Sequence, residues 1–279
     1  MIMSDERNGK PRLIVNADDF GLSSAVNHAV ERAHREGILT SATLLANGPA
    51  FDEAVRIAKM NPRLGVGAHL NLARGRPVGN GDGLAGVDGS FDPKRARRVD
   101  MRAALMEYGA QLLKIWAAGI RPTHVDFEKH QAWRPHLHEA AMMAADTAKV
   151  YAMRNLRPSV WHELRWWGWP GARRMGWLCG LACAAPRKAS GVWRPDRLAG
   201  VSRIGRMDEF AWARFFAAPL PGVTEMMTHP GEADDSSSDG MGASWIDPFR
   251  PVELGALVSS RVRDAGAASG VRLTTFALR

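Results

Sequence analysis

The sequence predicts an α/β protein whose strands form a mainly parallel sheet, open or closed into a barrel. Three observations carry that expectation. Apolar strand patterns alternate with helical ones from Arg12 to Phe276, the order that builds parallel sheets with covering helices. No repeat or linker divides the 279 residues, so a single domain is expected over 1–279, with a Trp- and Arg-rich insertion at 156–206. Titratable residues collect where successive strands should end, on the rim where such sheets build active sites.

The elements follow in order. Residues 12–17 read as a buried strand. Ser23 or Ser24 caps a helix with the apolar stripe Val26, Ala29, Val30 and Ala33, and Gly37 stops it. A strand over 41–46, a helix over 51–60 ended by Asn61-Pro62, and a strand over 64–70 come next. The Gly- and Asp-rich stretch 75–89 is a long loop, often functional when it lies above a site. A helix over 101–118 stops at Gly119, a fourth strand covers 123–127, Pro135 opens a helix to 148, and 150–154 reads as a fifth strand. After the insertion, a helix over 208–217, a strand over 223–228, a helix over 252–264 and a strand over 271–276 complete about seven strands.

Composition narrows the function classes. Apolar residues make up 46% of the chain and charged ones 24%, enough to build a sizeable core, with disorder expected only at the ends. The first ten residues are polar and expected to fray, and they lack the apolar core of a signal peptide. A reducing, cytoplasmic setting fits. Two cysteines, Cys179 and Cys183, cannot form a disulfide framework and are read as buried small hydrophobes. The net charge of +8 is uneven: between Arg157 and Arg197, eight Arg or Lys face two acids, alongside six of the ten tryptophans.

The chemistry concentrates at four strand ends. The first delivers Asp18 and Asp19 in Asn16-Ala17-Asp18-Asp19-Phe20-Gly21. One carboxylate can hold a cation while its neighbour handles a proton. The third delivers His69, the fourth His124, Asp126, Glu128 and His130, and the late strand Glu225 and His229. Each has a plainer reading: Asp18 and Asp19 as turn and cap residues, His69 as a structural histidine, the strand-four alternation as a solvated edge, His229 as part of a turn. Their joint position on one rim argues for a site. His28, His34, His136, His138 and His162 lie off the strand ends and are assigned surface or structural roles.

Asn16 to Ser23, the Gly-x-His-x-x-Leu form at Gly67 to Leu72 and the Glu-x-x-x-His-Pro form at Glu225 to Pro230 together resemble the YdjC-like carbohydrate deacetylases, which include chitooligosaccharide and hopanoid-associated deacetylases. The resemblance implies an irregular parallel (β/α) barrel and a divalent metal that helps remove an acetyl group from an N-acetylated sugar. It implies Asp19 and His69 as metal ligands, Asp18 as general base, His229 as general acid and Arg154 as the arginine bracing the catalytic carboxylate. One departure stands out. The family's strand-four pattern is His-x-Asp-x-His-x-His-x-His, whereas here Glu128 replaces the metal-binding histidine and Ala132 the last one. A set of Asp19, His69 and Glu128 is harder than one with two imidazoles, and tilts preference from zinc towards manganese, magnesium or iron. His130 is the alternative third ligand.

Within the insertion, Trp166-Trp167-Gly168-Trp169-Pro170 and Arg173-Arg174 precede an apolar stretch over 175–185. That stretch is far short of the roughly twenty residues that span a bilayer. Interleaved Trp and Arg suit a membrane interface. The expectation is that the segment touches anionic lipid on the inner membrane face and presents a lipid-linked sugar. The competing reading packs the tryptophans against the barrel or a second subunit of a homodimer. Nucleic-acid binding is not expected, because no binding motif accompanies the charge. A hydrolase acting on a glycolipid leads, with a soluble N-acetyl oligosaccharide as substrate or a non-catalytic sugar- or lipid-binding scaffold as its rivals.

Overall fold

The computed structural model describes residues 10–277, apart from 93–94, 96–97, 185–190, 234–240, 242–243 and 245, and apart from the side chains of 132, 133, 172, 183 and 184. The expected N-terminal fraying, the pair Arg187-Lys188 and the side chains of Ala132 and Cys183 lie outside the described residues.

Strand β1 (Arg12–Phe20) is buried along its length after Arg12 and lies near the middle of the sheet. It is followed by α1 (Ser24–Glu36), β2 (Ser41–Leu44), α2 (Phe51–Met60), β3 (Gly65–Leu70), α3 (Met101–Ala117), β4 (Val125–Phe127) and α4 (Pro135–Thr147). Then come α5 (Val160–Trp167), α6 (Ala172–Ala184), β5 (Arg197–Ala199), α7 (Glu209–Ala217), β6 (Val223–Thr228), α8 (Arg250–Val258), α9 (Ser260–Ala268) and β7 (Arg272–Leu273). Ser23 caps α1 by accepting the Val26 amide, and Asp100 and Asp208 do the same for α3 and α7.

All sheet pairings are parallel, in the order β4-β3-β2-β1-β6-β5, with β7 against the start of β1. The segment after α4 links the two edges: Met153 bridges to Val125 of β4, and Pro158 bridges to Leu198 of β5. The sheet thus curls into an irregular parallel half-barrel with helices around it, its two edges joined only by these isolated bridges. Leu13, Val15 and Ala17 of β1 face outward onto α1, joining Val26, Ala29, Val30 and Ala33 in the main core. Towards the interior, Asn16, Asp18, Thr43, His69, Asp126, Arg154 and Glu225 form a buried polar network. Gly67 is bare for a reason: a Cβ there would lie 2.4 Å from His124, whose ring stacks on Phe276 at 3.6 Å.

Four expectations change. Residues 150–154 make only isolated bridges, because they bond alternately to Val125 on one side and Trp193 on the other, and Pro158 then removes a donor. The strand β5 inside the insertion was not expected; three residues are too few to show a period. The expected 252–264 helix breaks at Ser259, which is extended (φ −64°, ψ 133°), while the Leu257 carbonyl accepts the Ile38 amide. The last strand ends at Leu273, as Phe276 turns towards His124.

The insertion divides its tryptophans. Trp166 and Trp167 are buried, donate to the Ala218 and Ala211 carbonyls, and Trp166 packs edge-on against Phe215. Trp161, Trp169 and Trp177 are 81%, 68% and 41% exposed. Cys179 is exposed, correcting its reading as a buried hydrophobe: α6 buries the stripe Met175, Leu178 and Leu181, and Cys179 lies off it. No helix among the described residues is long and apolar enough to cross a membrane.

Candidate active site

In a regular strand, consecutive side chains point to opposite faces. Two adjacent carboxylates could then never share a site. At the end of β1 the pairing with β2 slips between Ala17 and Phe20, and Asp19 takes a left-handed φ of 68°. This irregularity lets Asp18 and Asp19 both line one cavity of about 830 Å³.

His69 reaches the same cavity from β3. The β3–β4 register sets it directly opposite Asp126, whose Oδ1 lies 2.6 Å from His69 Nδ1. The other ring nitrogen, Nε2, faces Glu128 at 3.2 Å and Asp19 at 3.8 Å. Donor atoms of Asp19, His69 and Glu128 all lie within 4.8 Å of one another. An imidazole and two carboxylates suit a divalent cation, and the Asp126 contact fixes the ring as carboxylates behind metal-ligating histidines do. Asp18, His69 and Asp126 also fall within 4.8 Å, but Asp126 is already committed to Thr43, which donates at 3.0 Å, and to Arg154 at 2.9 Å. His130 lines the cavity but joins no such group of three donors among the described residues.

Arg154 is completely buried. It donates to both oxygens of Asp18, at 2.7 and 2.6 Å, and through Nε to Glu225 at 2.7 Å. Burial would raise the Asp18 carboxyl, but the Arg154 charge and hydrogen bonds outweigh it and hold Asp18 well below the usual carboxylate range. Asp19 is likewise held low against burial, chiefly by Arg250, which donates to its Oδ2 at 2.6 Å. Glu225 goes the other way: burial pushes it up to about 7 despite Arg154. His229 follows β6, and its Nε2 lies 3.8 Å from Asp18 Oδ2. Its backbone amide donates to buried Glu253 at 2.6 Å.

The insertion supplies the outer wall. Arg173, Arg174 and Trp177 of α6, with Val201 and Ile204, line the cavity. Glu163 of α5 anchors that wall by accepting the Val201 and Ser202 amides. No residue of the 75–89 loop lines the cavity; Val78 and Gly79 instead donate to Glu107 on α3.

All seven sequence-derived candidates, Asp18, Asp19, His69, Glu128, His130, Arg154 and His229, gather around this space, with Arg154 beneath it and the other six lining it. Sequence reasoning named Asp126 at the rim, on the face of Glu128, without giving it a role, and did not find Arg250, Arg74 or Glu253. Arg250 reaches Asp19 across 231 positions, and Arg74 lies 3.7 Å from Glu128 through tertiary folding alone.

Comparison with known proteins agrees with this architecture. A carbohydrate deacetylase of Geobacillus stearothermophilus is 39% identical over 153 residues, covering 52% of this chain and 61% of that protein. One from Brevibacillus brevis is 41% identical over 143 residues, covering 50% of this chain and 57% of that protein. The match thus spans about three fifths of those relatives. A solved Enterococcus faecalis protein, described provisionally as a cellobiose-phosphate cleavage protein, has the same fold: TM-score 0.77 at 23% identity, covering 96% of this chain and 98% of that one. The family model described as YdjC-like protein matches residues 12–268, and the chain belongs to that family.

Proposed function

We propose that this protein hydrolyses the acetamide of an N-acetylated sugar, releasing acetate and the free amine. The observation that carries the reading is the adjacency of two differently committed carboxylates. Asp19 faces His69 Nε2 and Glu128, while Asp18 is held ionised by Arg154 with His229 3.8 Å away. The names of the relatives, carbohydrate deacetylases, point to the same chemistry.

Asp19, His69 and Glu128 would hold the divalent cation, with manganese, magnesium or iron favoured over zinc by two carboxylates. When bound, such an ion supplies Lewis-acid polarisation of the amide carbonyl and acidifies water. Asp18 takes the proton of the attacking water, and Arg154 keeps it anionic and oriented for that task. His229 gives a proton to the departing nitrogen, which leaves poorly as an anion. Asp126 keeps Nδ1 of His69 occupied, so Nε2 would be the nitrogen that holds the cation.

The substrate class is a glycolipid. Phe127, Trp177, Val201, Ile204, Met227 and Ile246 give the cavity an apolar wall beyond what one hydrophilic sugar needs. Trp161 and Trp169 stand exposed on the same insertion, beside its surplus of arginines, and would rest on an anionic inner membrane face. Acetate release from an N-acetylglucosaminyl lipid and from a soluble N-acetyl oligosaccharide, each with and without chelator, tests both levels. The expected result is release that chelator abolishes, faster from the lipid. Equal rates remove the glycolipid assignment. Release from neither, with Mn²⁺ present, leaves the non-catalytic binding scaffold.

A further inference from the structure

Strand β4 ends in an unusual turn. Lys129 and His130 are consecutive, neither is glycine, and both adopt left-handed backbone (φ 51° and 50°). That conformation is unfavourable for an L-residue, and such strain persists where surrounding structure enforces it, commonly at ligand sites. Its consequence here is geometric. Had the strand continued extended, His130 would follow Glu128 on the same face and crowd the three-donor cluster. The turn instead leaves Lys129 exposed where it lines the cavity, and His130 95% buried in the same lining but outside the three-donor group.

There His130 meets Trp177 of α6, with ring centroids 5.7 Å apart and planes tilted by 37°. Trp177 is set in place because its helix packs Met175, Leu178 and Leu181 against Leu198, Val201 and Met227. The indole is 41% exposed and lines the cavity. His130 Nδ1 is fully buried without a hydrogen-bond partner among the described residues, although buried polar atoms ordinarily have one. A partly exposed indole beside a cavity-lining imidazole offers a flat apolar surface with a polar ring at its edge.

We propose that His130 and Trp177 form a pyranose subsite beside the cation cluster. Trp177 packs on the C–H face of the sugar ring, and the His130 imidazole, where it lines the cavity beside the indole, closes the edge of the subsite. This assigns His130 to substrate rather than to metal, and gives the insertion a specificity role. The assignment rests on the carbohydrate reading above.

The test uses the full-length protein loaded with Mn²⁺ and the N-acetylglucosamine disaccharide as probe, with affinity read by calorimetry. Trp177→Ala is expected to weaken binding at least tenfold and Trp177→Phe about threefold. His130→Ala should weaken it at least fivefold. His130→Asn, which tolerates the left-handed backbone, checks that any loss is not misfolding. Metal content, read separately by elemental analysis, should stay at the wild-type value in all four variants. Unchanged sugar affinity, loss of the metal in His130→Asn, or failure of the wild-type protein to bind the disaccharide would each overturn the subsite. If the subsite losses appear while acetate is never released, the subsite stands and the hydrolytic reading falls.

Discussion

Asp18→Asn is expected to reduce turnover by about a thousandfold, within the range that a positioned general base contributes, while cation binding is retained. The substitution keeps the shape of the side chain and removes its ability to take a proton. Asp18 is committed to Arg154 through both oxygens, and the three-donor cluster of Asp19, His69 and Glu128 does not include it. On the proposed reading the two neighbouring carboxylates have separate tasks, so the variant should separate chemistry from metal binding. Acetate release measured beside Mn²⁺ stoichiometry checks this. Turnover within tenfold of wild type would remove Asp18 from the role of base.

Arg154→Met should destabilise the fold by about 3–5 kcal/mol, the usual cost of removing one member of a buried ionic cluster. The guanidinium is fully buried and reaches Asp18, Asp126 and Glu225. Without it, three buried carboxyl groups from three strands lose their common counter-charge. A shift in the urea midpoint at unchanged slope reads the loss; a cost below 1 kcal/mol would mean that the network relaxes or protonates freely. The sign of the pH dependence follows from the same contacts. Asp18 and Asp19 both sit below their ordinary value of 3.8 in the folded protein. Their stabilisation is therefore present above about pH 4 and disappears as pH falls through the depressed folded values.

Much of this arrangement was legible in the chain because it is local. An apolar run followed by Asp18-Asp19 and a Ser23 cap reads directly as strand, rim and helix. The alternation His124, Asp126, Glu128 declares a strand face. What stayed hidden depends on backbone irregularity or on long-range packing. Nothing local announces the left-handed Asp19 that sets both carboxylates on one rim, or the paired left-handed residues that divert His130 from the face of Glu128. Arg250 becomes the partner of Asp19 only after α8 packs against α1. The insertion shows the limit of composition most plainly. Four tryptophans lie within the nine residues 161–169, yet Trp166 and Trp167 enter the core and Trp161 and Trp169 do not. That division is set by where α7 offers an aromatic surface. Likewise, the apolar pattern over 252–264 gives no sign that the Leu257 carbonyl is claimed by the chain after α1, which ends one helix and starts another at Ser259.

Calorimetric titration of chelator-stripped protein with Mn²⁺ tests the central claim most directly. One ion per chain is expected, with binding lost in His69→Ala and in Asp19→Ala while circular dichroism shows both variants folded. Wild-type protein that binds no divalent ion, or a folded His69→Ala variant that binds it as tightly as wild type, would contradict the convergence of Asp19, His69 and Glu128 on a single cation.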